Sequence, residues 1–211
     1  MIFVKLALNL ALLFFSLINV YKCKIFNIKK ANYFILKNTE NLIDPRSIRF
    51  SNINEVNLSN SINFVRSVSF KLSFKALINL KNIIIINCFY DSLYLVKKIF
   101  KRNLNKIEEE FSSKISSIIQ FSKVREFRMI DDYRLMKLFL PILNKLKISS
   151  IGYMHGRISS DLDFQKNLKT FKFKKYYVWN KYFKRKILGI NKKYKPDEIV
   201  IKNHLKKYKQ N

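Results

Sequence analysis

The run "NIIIINCFY", residues 82–90, constrains the fold of this chain more than any other stretch of its sequence. Its four consecutive isoleucines are β-branched and make a run of strand length that is apolar on both faces. Strands buried on both faces occur in parallel sheets that are covered by helices on either side. The run therefore predicts a central strand of a parallel sheet.

Helical and extended patterns alternate along much of the chain. A helix is predicted from Asp91, a good N-cap, and another from Asp131 and Asp132, with Pro141 expected to kink or split it. The alternation predicts an α/β fold, a single Rossmann-like domain with a mainly parallel sheet and flanking helices, plus an apolar N-terminal helix. Further strands are predicted at 32–36, 123–130, 176–179 and near 199, and residues 83–87, 124–129 and 149–154 are expected to be neighbouring central strands.

The N-terminal segment "MIFVKLALNLALLFFSLINVYKCK" is apolar from Leu6 to Tyr21, interrupted by Asn9, Ser16 and Asn19. It offers no small-residue cleavage site of a signal peptide, and the apolar run is shorter than the roughly 20 residues of a spanning helix. Flanking lysines favour a helix that lies on an anionic membrane surface. A buried helix and a true span or signal remain the alternatives.

The formal net charge of +28 favours partners such as anionic lipid, phosphorylated ligands or nucleic acid. An AT-rich genome would raise Lys and Asn without any functional demand, which is the competing explanation. Lys also outnumbers Arg, whereas the readout of bases and bidentate phosphate contacts favour Arg. This excess of Lys over Arg argues against nucleic acid as a partner. With two cysteines far apart and two histidines, no metal site and no cofactor is expected.

The segment "IGYMHGRISSD", residues 151–161, holds two of the three glycines and one of the two histidines. It follows a helix pattern and is expected to be a strand that ends in a loop. In open α/β sheets, ligands sit outside the carboxyl ends of the strands. His155 has the chemistry of a general acid or base, Gly156 gives a ligand room, and Arg157 suits a phosphate or carboxylate. A structural histidine in a turn is the alternative.

"IDDYRLMKLFLPILNKLKISSIGYMHGRISSD", followed by "KKYYVWNKYFKRKIL", resembles the N-terminal domains of bacterial envelope-polysaccharide glycosyltransferases of the GT-B type. This family includes relatives of capsule, lipopolysaccharide and teichoic-acid polymerases. Their N-terminal domains often end with a strand and "QHG", then a "Y.VW..YFK..L" strand and helix. His155 and Gly156 match the first motif, in which Met154 replaces Gln. The second motif is matched at Tyr177, Val178, Trp179, Tyr182, Phe183 and Leu188, and the resemblance covers roughly residues 124–201.

The resemblance implies that His155 is catalytic and that Met154, Gly156 and Arg157 bind substrate in a cleft between two domains. Asp131 and Asp132 follow another strand and are further candidates for substrate binding, with helix capping as the alternative. Trp179 is expected to pack rather than to take part in chemistry.

The implied function is transfer from a nucleotide-activated sugar or alcohol donor to a lipid-linked or polysaccharide acceptor. It would take place in the cytoplasm, at the inner face of the bacterial membrane. The family's second Rossmann-like domain, which binds the donor, has no counterpart in these 211 residues. We therefore expect half of a split enzyme, a truncated remnant or a single-domain relative with another task, and any sugar transfer should require a complementing partner. The expected segments are an N-terminal helix at 1–24, the GT-B N-terminal-type domain at 25–201 and a basic tail at 202–211.

Two other functions remain open from the sequence. One is a basic membrane-associated interaction protein without catalytic activity. The other is a nucleic-acid-binding protein of the organellar ribosomal type, because aromatic residues between basic ones in residues 164–211 can stack on bases. The alternative for those aromatic side chains is that they pack in the core.

Overall fold

The computed structural model describes residues 2–35, 60–67, 69–79, 82–130, 133–154 and 168–202. These residues form one parallel sheet of seven strands, with helices around it. The strands are β1 (Lys30–Ile35), β2 (Ile62–Arg66), β3 (Ile83–Ile85), β4 (Glu126–Ile130), β5 (Ser149–Tyr153), β6 (Lys175–Val178) and β7 (Ile199–Ile201). The helices are α1 (Ile2–Ile25), α2 (Phe70–Asn79), α3 (Ile86–Ile99), α4 (Ile107–Phe121), α5 (Tyr133–Lys145) and α6 (Lys181–Ile190), and a 3₁₀ turn (Pro196–Glu198) precedes β7.

The strand order is β3-β2-β1-β4-β5-β6-β7, and every pairing is parallel. The first three strands run outward in one direction from β1, and the last four run outward in the other from β4. This reversal is typical of Rossmann-like folds. The predicted fold class, a Rossmann-like α/β domain with an apolar N-terminal helix, is confirmed.

The isoleucine run does not form a central strand. Only Ile83–Ile85 are extended, and α3 begins at Ile86. The strand pairs with β2 and lies at one of the two edges of the described sheet, so the expectation that residues 83–87 neighbour 124–129 is wrong. β4 and β5 are neighbours as predicted. Asp91 lies inside α3 instead of capping it, because residues Ile86 to Tyr90 already belong to the helix.

An aromatic cluster on one face of the sheet forms the centre of the core. The Phe139 ring of α5 lies 4.8 Å from the Phe127 ring and 5.7 Å from the Tyr33 ring, between ring centroids. Phe64 contacts both Phe127 and Phe139. Pro141 lies inside α5 without dividing it, so the predicted splitting of this helix is wrong.

Helix α1 packs along the outer side of β3 and also contacts α3. The Ser16 hydroxyl accepts a hydrogen bond from the Ile85 backbone N–H (3.1 Å), and the Asn19 amide donates one to the Ile83 carbonyl (2.9 Å). A later residue of α1 contacts an earlier residue of β3, so α1 runs antiparallel to the strand. Leu12, Val20 and Cys23 are buried in the main core, which α1 therefore helps to build.

Candidate functional site at the carboxyl ends of β4, β5 and β6

The register of the sheet aligns the ends of three neighbouring strands. Ile130 lies opposite Tyr153, and Tyr153 lies opposite Tyr177. The segments that follow β4 and β5 consequently start at the same edge of the sheet, about 4.8 Å apart. Asp131, Asp132, His155, Gly156 and Arg157 follow these ends but lie outside the described residues. Their assignment to a site remains a prediction, which the register favours because it brings the two segments together.

Met154 is the last described residue before His155, and both of its backbone polar groups are held. Its N–H donates to the Tyr177 carbonyl (3.0 Å), and its carbonyl accepts from the Trp179 indole Nε1–H (3.0 Å). Its side chain is buried in the core, with 1% exposed. These two bonds fix the end of β5, and the buried side chain of Met154 leaves little surface for the substrate contact expected from the sequence.

Trp179 connects this strand end to α6. Its ring packs edge-to-face on Phe183, with 5.5 Å between centroids, while its Nε1–H holds the carbonyl of Met154. The expectation that Trp179 packs is confirmed, and the hydrogen bond adds a positioning role. Asn180 caps α6 by accepting a hydrogen bond from the Phe183 N–H (3.1 Å). The start of α6 is thus fixed close to the carboxyl end of β5.

A pair of tyrosines lies at the carboxyl ends of β5 and β6, and sequence reasoning missed it as a pair. The rings of Tyr153 and Tyr177 are stacked, with centroids 5.1 Å apart and planes 10° from parallel. The Lys202 ammonium lies 5.6 Å from the Tyr177 centroid, within the range of a cation–π interaction. Ile130 and Ile151 pack with both tyrosines. The alternation of side chains within each strand would have predicted the face on which each tyrosine lies. Their stacking could not be predicted in this way, because it depends on β5 and β6 being neighbours in the sheet.

The same face of the sheet carries polar side chains nearer the middle of the strands. Arg128 forms an ion pair with Glu126 (2.7 Å), and the Asn32 amide donates to the Asn63 side-chain oxygen (3.1 Å). The order of the sheet reverses between β1 and β4, which carry Asn32 and Arg128 opposite each other. Ligands of open α/β sheets bind in the crevice at such a reversal. The candidate site at β4 and β5 adjoins this position.

Gly152 serves packing rather than a turn. A Cβ atom on it would collide with the ring of Phe173, which lies directly against its backbone. The Phe173 N–H donates to the Tyr194 hydroxyl (2.8 Å), which holds the Phe173 segment in place. This glycine therefore lets β5 approach its covering segment closely, whereas the role expected for Gly156 is room for a ligand.

The two cysteines do not provide a nucleophile. Both are free and buried, and burial raises the pKa of the Cys23 and Cys88 thiols to about 12, so each stays protonated near neutral pH. Within the described part of the chain, no group of three or more His, Cys, Asp or Glu side chains is placed to hold a metal ion.

Most of the described aromatic residues of the basic C-terminal region pack in or against the core. Phe171, Phe173, Tyr176 and Tyr194 are buried, and Tyr182 is exposed. Most of these rings are therefore not available to stack on bases, which confirms the packing alternative for them.

Among the helices that the structure describes, α1 is long and apolar enough to cross a membrane, although its apolar run was expected to be too short for this. Core helices and signal sequences share this property. In the structure one side of α1 is buried against β3 and α3, while its other side exposes large apolar residues. These residues are Phe3, Val4, Leu10, Phe14, Phe15, Leu17, Tyr21 and Ile25.

No protein-family model matches this chain, and no curated protein or solved structure shows significant similarity to it.

Proposed function

We propose that this chain is the acceptor-side domain of a GT-B-type, glycosyltransferase-like protein of cell-surface polysaccharide synthesis. His155 would act as the general acid or base, and Arg157, Asp131 and Asp132 would bind substrate. The nucleotide-activated donor would be held by a second Rossmann-like domain, in the same or another polypeptide. No cofactor is required by this chemistry.

The observation that carries the proposal is the junction of Met154 with the segment Tyr177–Trp179. Two hydrogen bonds join these segments, and Trp179 lies 25 positions from Met154 in the chain. These two segments contain the two motifs on which the resemblance to the glycosyltransferases rests. Because both motifs meet at the carboxyl end of β5, their junction supports a joint role in presenting His155 to a cleft.

The exposed side of α1 supports the membrane location in this proposal. Contiguous apolar patches on a folded domain mark sites of protein or membrane contact. Lys5, Lys22 and Lys24 flank the apolar residues and are exposed, which suits an anionic lipid surface. Because Ser16 and Asn19 hydrogen-bond to β3, α1 would lie on the membrane while remaining attached to the sheet. A spanning helix would break these contacts.

Trp179 offers a direct test, because it is the only tryptophan in the chain and its indole bonds the residue before His155. Ligands that occupy the loop should change its fluorescence. We expect a saturable change on titration with a short-chain polyprenyl phosphate or an oligosaccharide phosphate. The variant Arg157→Gln should weaken the apparent affinity, whereas Lys71→Gln, an exposed lysine of α2, should not. No saturable response to either class of ligand, or equal affinities in both variants, would contradict the proposal.

A further inference from the structure

A groove of about 500 Å³ lies between α1, α3 and α4, away from the candidate site. This volume falls within the about 300–1,000 Å³ of small-molecule sites. Two of its walls are mainly apolar, with Leu10, Leu13 and Leu17 on α1 and Phe89, Leu93 and Val96 on α3. An apolar ligand without bulky polar groups therefore suits these walls.

The groove is continuous with the exposed apolar side of α1. Leu10 and Leu17 line the groove, and each is 45% exposed. Phe14, in the same part of the helix, is 61% exposed. A hydrocarbon chain could therefore pass from a membrane beneath α1 into the groove without crossing a polar barrier at these leucines.

The third wall, on α4, is mainly polar and includes one apolar residue, Ile118. Ser113, Ser117 and Lys114 line it, and all three are exposed. Ser92 of α3 also lines the groove, is 7% exposed, and has a hydroxyl without a hydrogen-bond partner in the described structure. A buried hydroxyl without a partner is uncommon in folded proteins. The groove thus combines apolar walls with the Ser92 hydroxyl, which has no partner, and the Lys114 ammonium.

We propose that this groove binds one acyl chain of an anionic membrane phospholipid, with the phosphate at Lys114. The leucines of α1 would contact the chain, and the buried Ser92 hydroxyl would bond to an oxygen of the lipid's ester linkage. The Lys114 ammonium would stay in solvent and meet the headgroup. This inference is independent of sugar transfer, since it concerns a different part of the molecule and needs no activity.

The probe is palmitoyl-lysophosphatidylglycerol, a single-chain anionic lipid, kept below its micelle concentration and titrated into the full chain by calorimetry. We expect one saturable site. Ser117→Trp fills the groove from α4 and should weaken binding by about tenfold or more, since affinity follows the buried apolar area. Gln120→Trp adds the same ring to the exposed surface of the same helix, outside the groove, and should change affinity less than about twofold.

A second pair of variants tests the headgroup. Lys114→Glu should abolish the preference for the phosphoglycerol lipid over the corresponding phosphocholine lipid, whereas Lys71→Glu, with the same change of net charge, should keep it. Ser113→Trp repeats the filling test if Ser117→Trp does not fold, as judged by circular dichroism. Absence of saturable binding, or equal affinities of the groove-filling variant and Gln120→Trp, would overturn the proposal.

Discussion

Ser16 of α1 accepts a hydrogen bond from the backbone N–H of Ile85 in β3, at 3.1 Å. Both residues are fully buried, so no solvent competes for this contact. Unpaired N–H groups at the side of a sheet attract other strands, and proteins often cover them with a helix. Here an apolar helix does so through the polar residues that interrupt its sequence.

Replacing Ser16 by alanine should therefore destabilise the fold. The Ile85 N–H would be buried without a partner, which costs about 1–3 kcal/mol in the free energy of unfolding. Ser113→Ala, on the exposed side of α4, should change this free energy by less than about 0.5 kcal/mol. Urea denaturation of both variants measures the difference. If Ser16→Ala is as stable as Ser113→Ala, the hydrogen bond to β3 contributes nothing to the free energy of unfolding.

The two described glycines should respond oppositely to alanine. In Gly152→Ala the added Cβ meets the Phe173 ring, and the overpacking should cost about 1–3 kcal/mol. In Gly189→Ala the added Cβ meets nothing within 4 Å in helix α6, so the variant should be about 0.5–1 kcal/mol more stable. Thermal unfolding followed by circular dichroism compares them. The packing account of Gly152 is wrong if its variant is as stable as the wild type.

Asp91 should make stability depend on pH. Partial burial in α3 raises the pKa of its carboxyl group, because the charged form loses hydration. A raised folded-state pKa means that its contribution to stability is present below the unfolded-state pKa and is lost as pH rises through the folded-state pKa. Asp91→Asn should therefore be more stable than wild type at pH 7, with the difference shrinking as pH falls below the carboxyl pKa. A constant difference between pH 4 and pH 7 would contradict this.

Exposed phenylalanines of α1 should control membrane binding without affecting the fold. We expect the triple variant Phe3→Gln, Phe14→Gln, Phe15→Gln to lower affinity for anionic vesicles by more than about tenfold, because three apolar side chains leave the interface. Its stability in solution should match that of the wild type. Deleting residues 1–24 is a poorer test, because it would also uncover β3. Unchanged vesicle sedimentation of the triple variant would place the membrane contact elsewhere.

The isoleucine run shows how far the sequence predicts the fold. Ile83, Ile84 and Ile85 are buried and pair in a parallel sheet, as the apolar pattern predicted. Their position at the outer end of the described sheet could not be predicted, because burial patterns do not say what covers a strand. The cover is α1, and its bonding residues Ser16 and Asn19 looked like interruptions of an apolar helix.

The position of the candidate site could also be predicted in part from the hydrophobic patterns of strands and helices. Alternation and helix patterns located the strands that end at Ile130 and Tyr153, so the edge that carries the candidate residues followed from the sequence. Three contacts join segments that are distant in the sequence. They are the bond of Trp179 to Met154, the stack of Tyr153 on Tyr177, and the contact of Phe173 with Gly152. Such contacts depend on strand order and have no local signal in a single sequence.

The most direct test of the central claim measures stability and sugar transfer in the same His155→Ala protein. The assay contains the full chain, a complementing donor-binding domain, a panel of labelled nucleotide sugars and a lipid-linked acceptor. His204→Ala is the matched control, since these are the only two histidines. The account predicts that His155→Ala lowers transfer by about 10²-fold or more with unchanged thermal stability, while His204→Ala transfers normally. A stable His155→Ala protein with full transfer activity would contradict it.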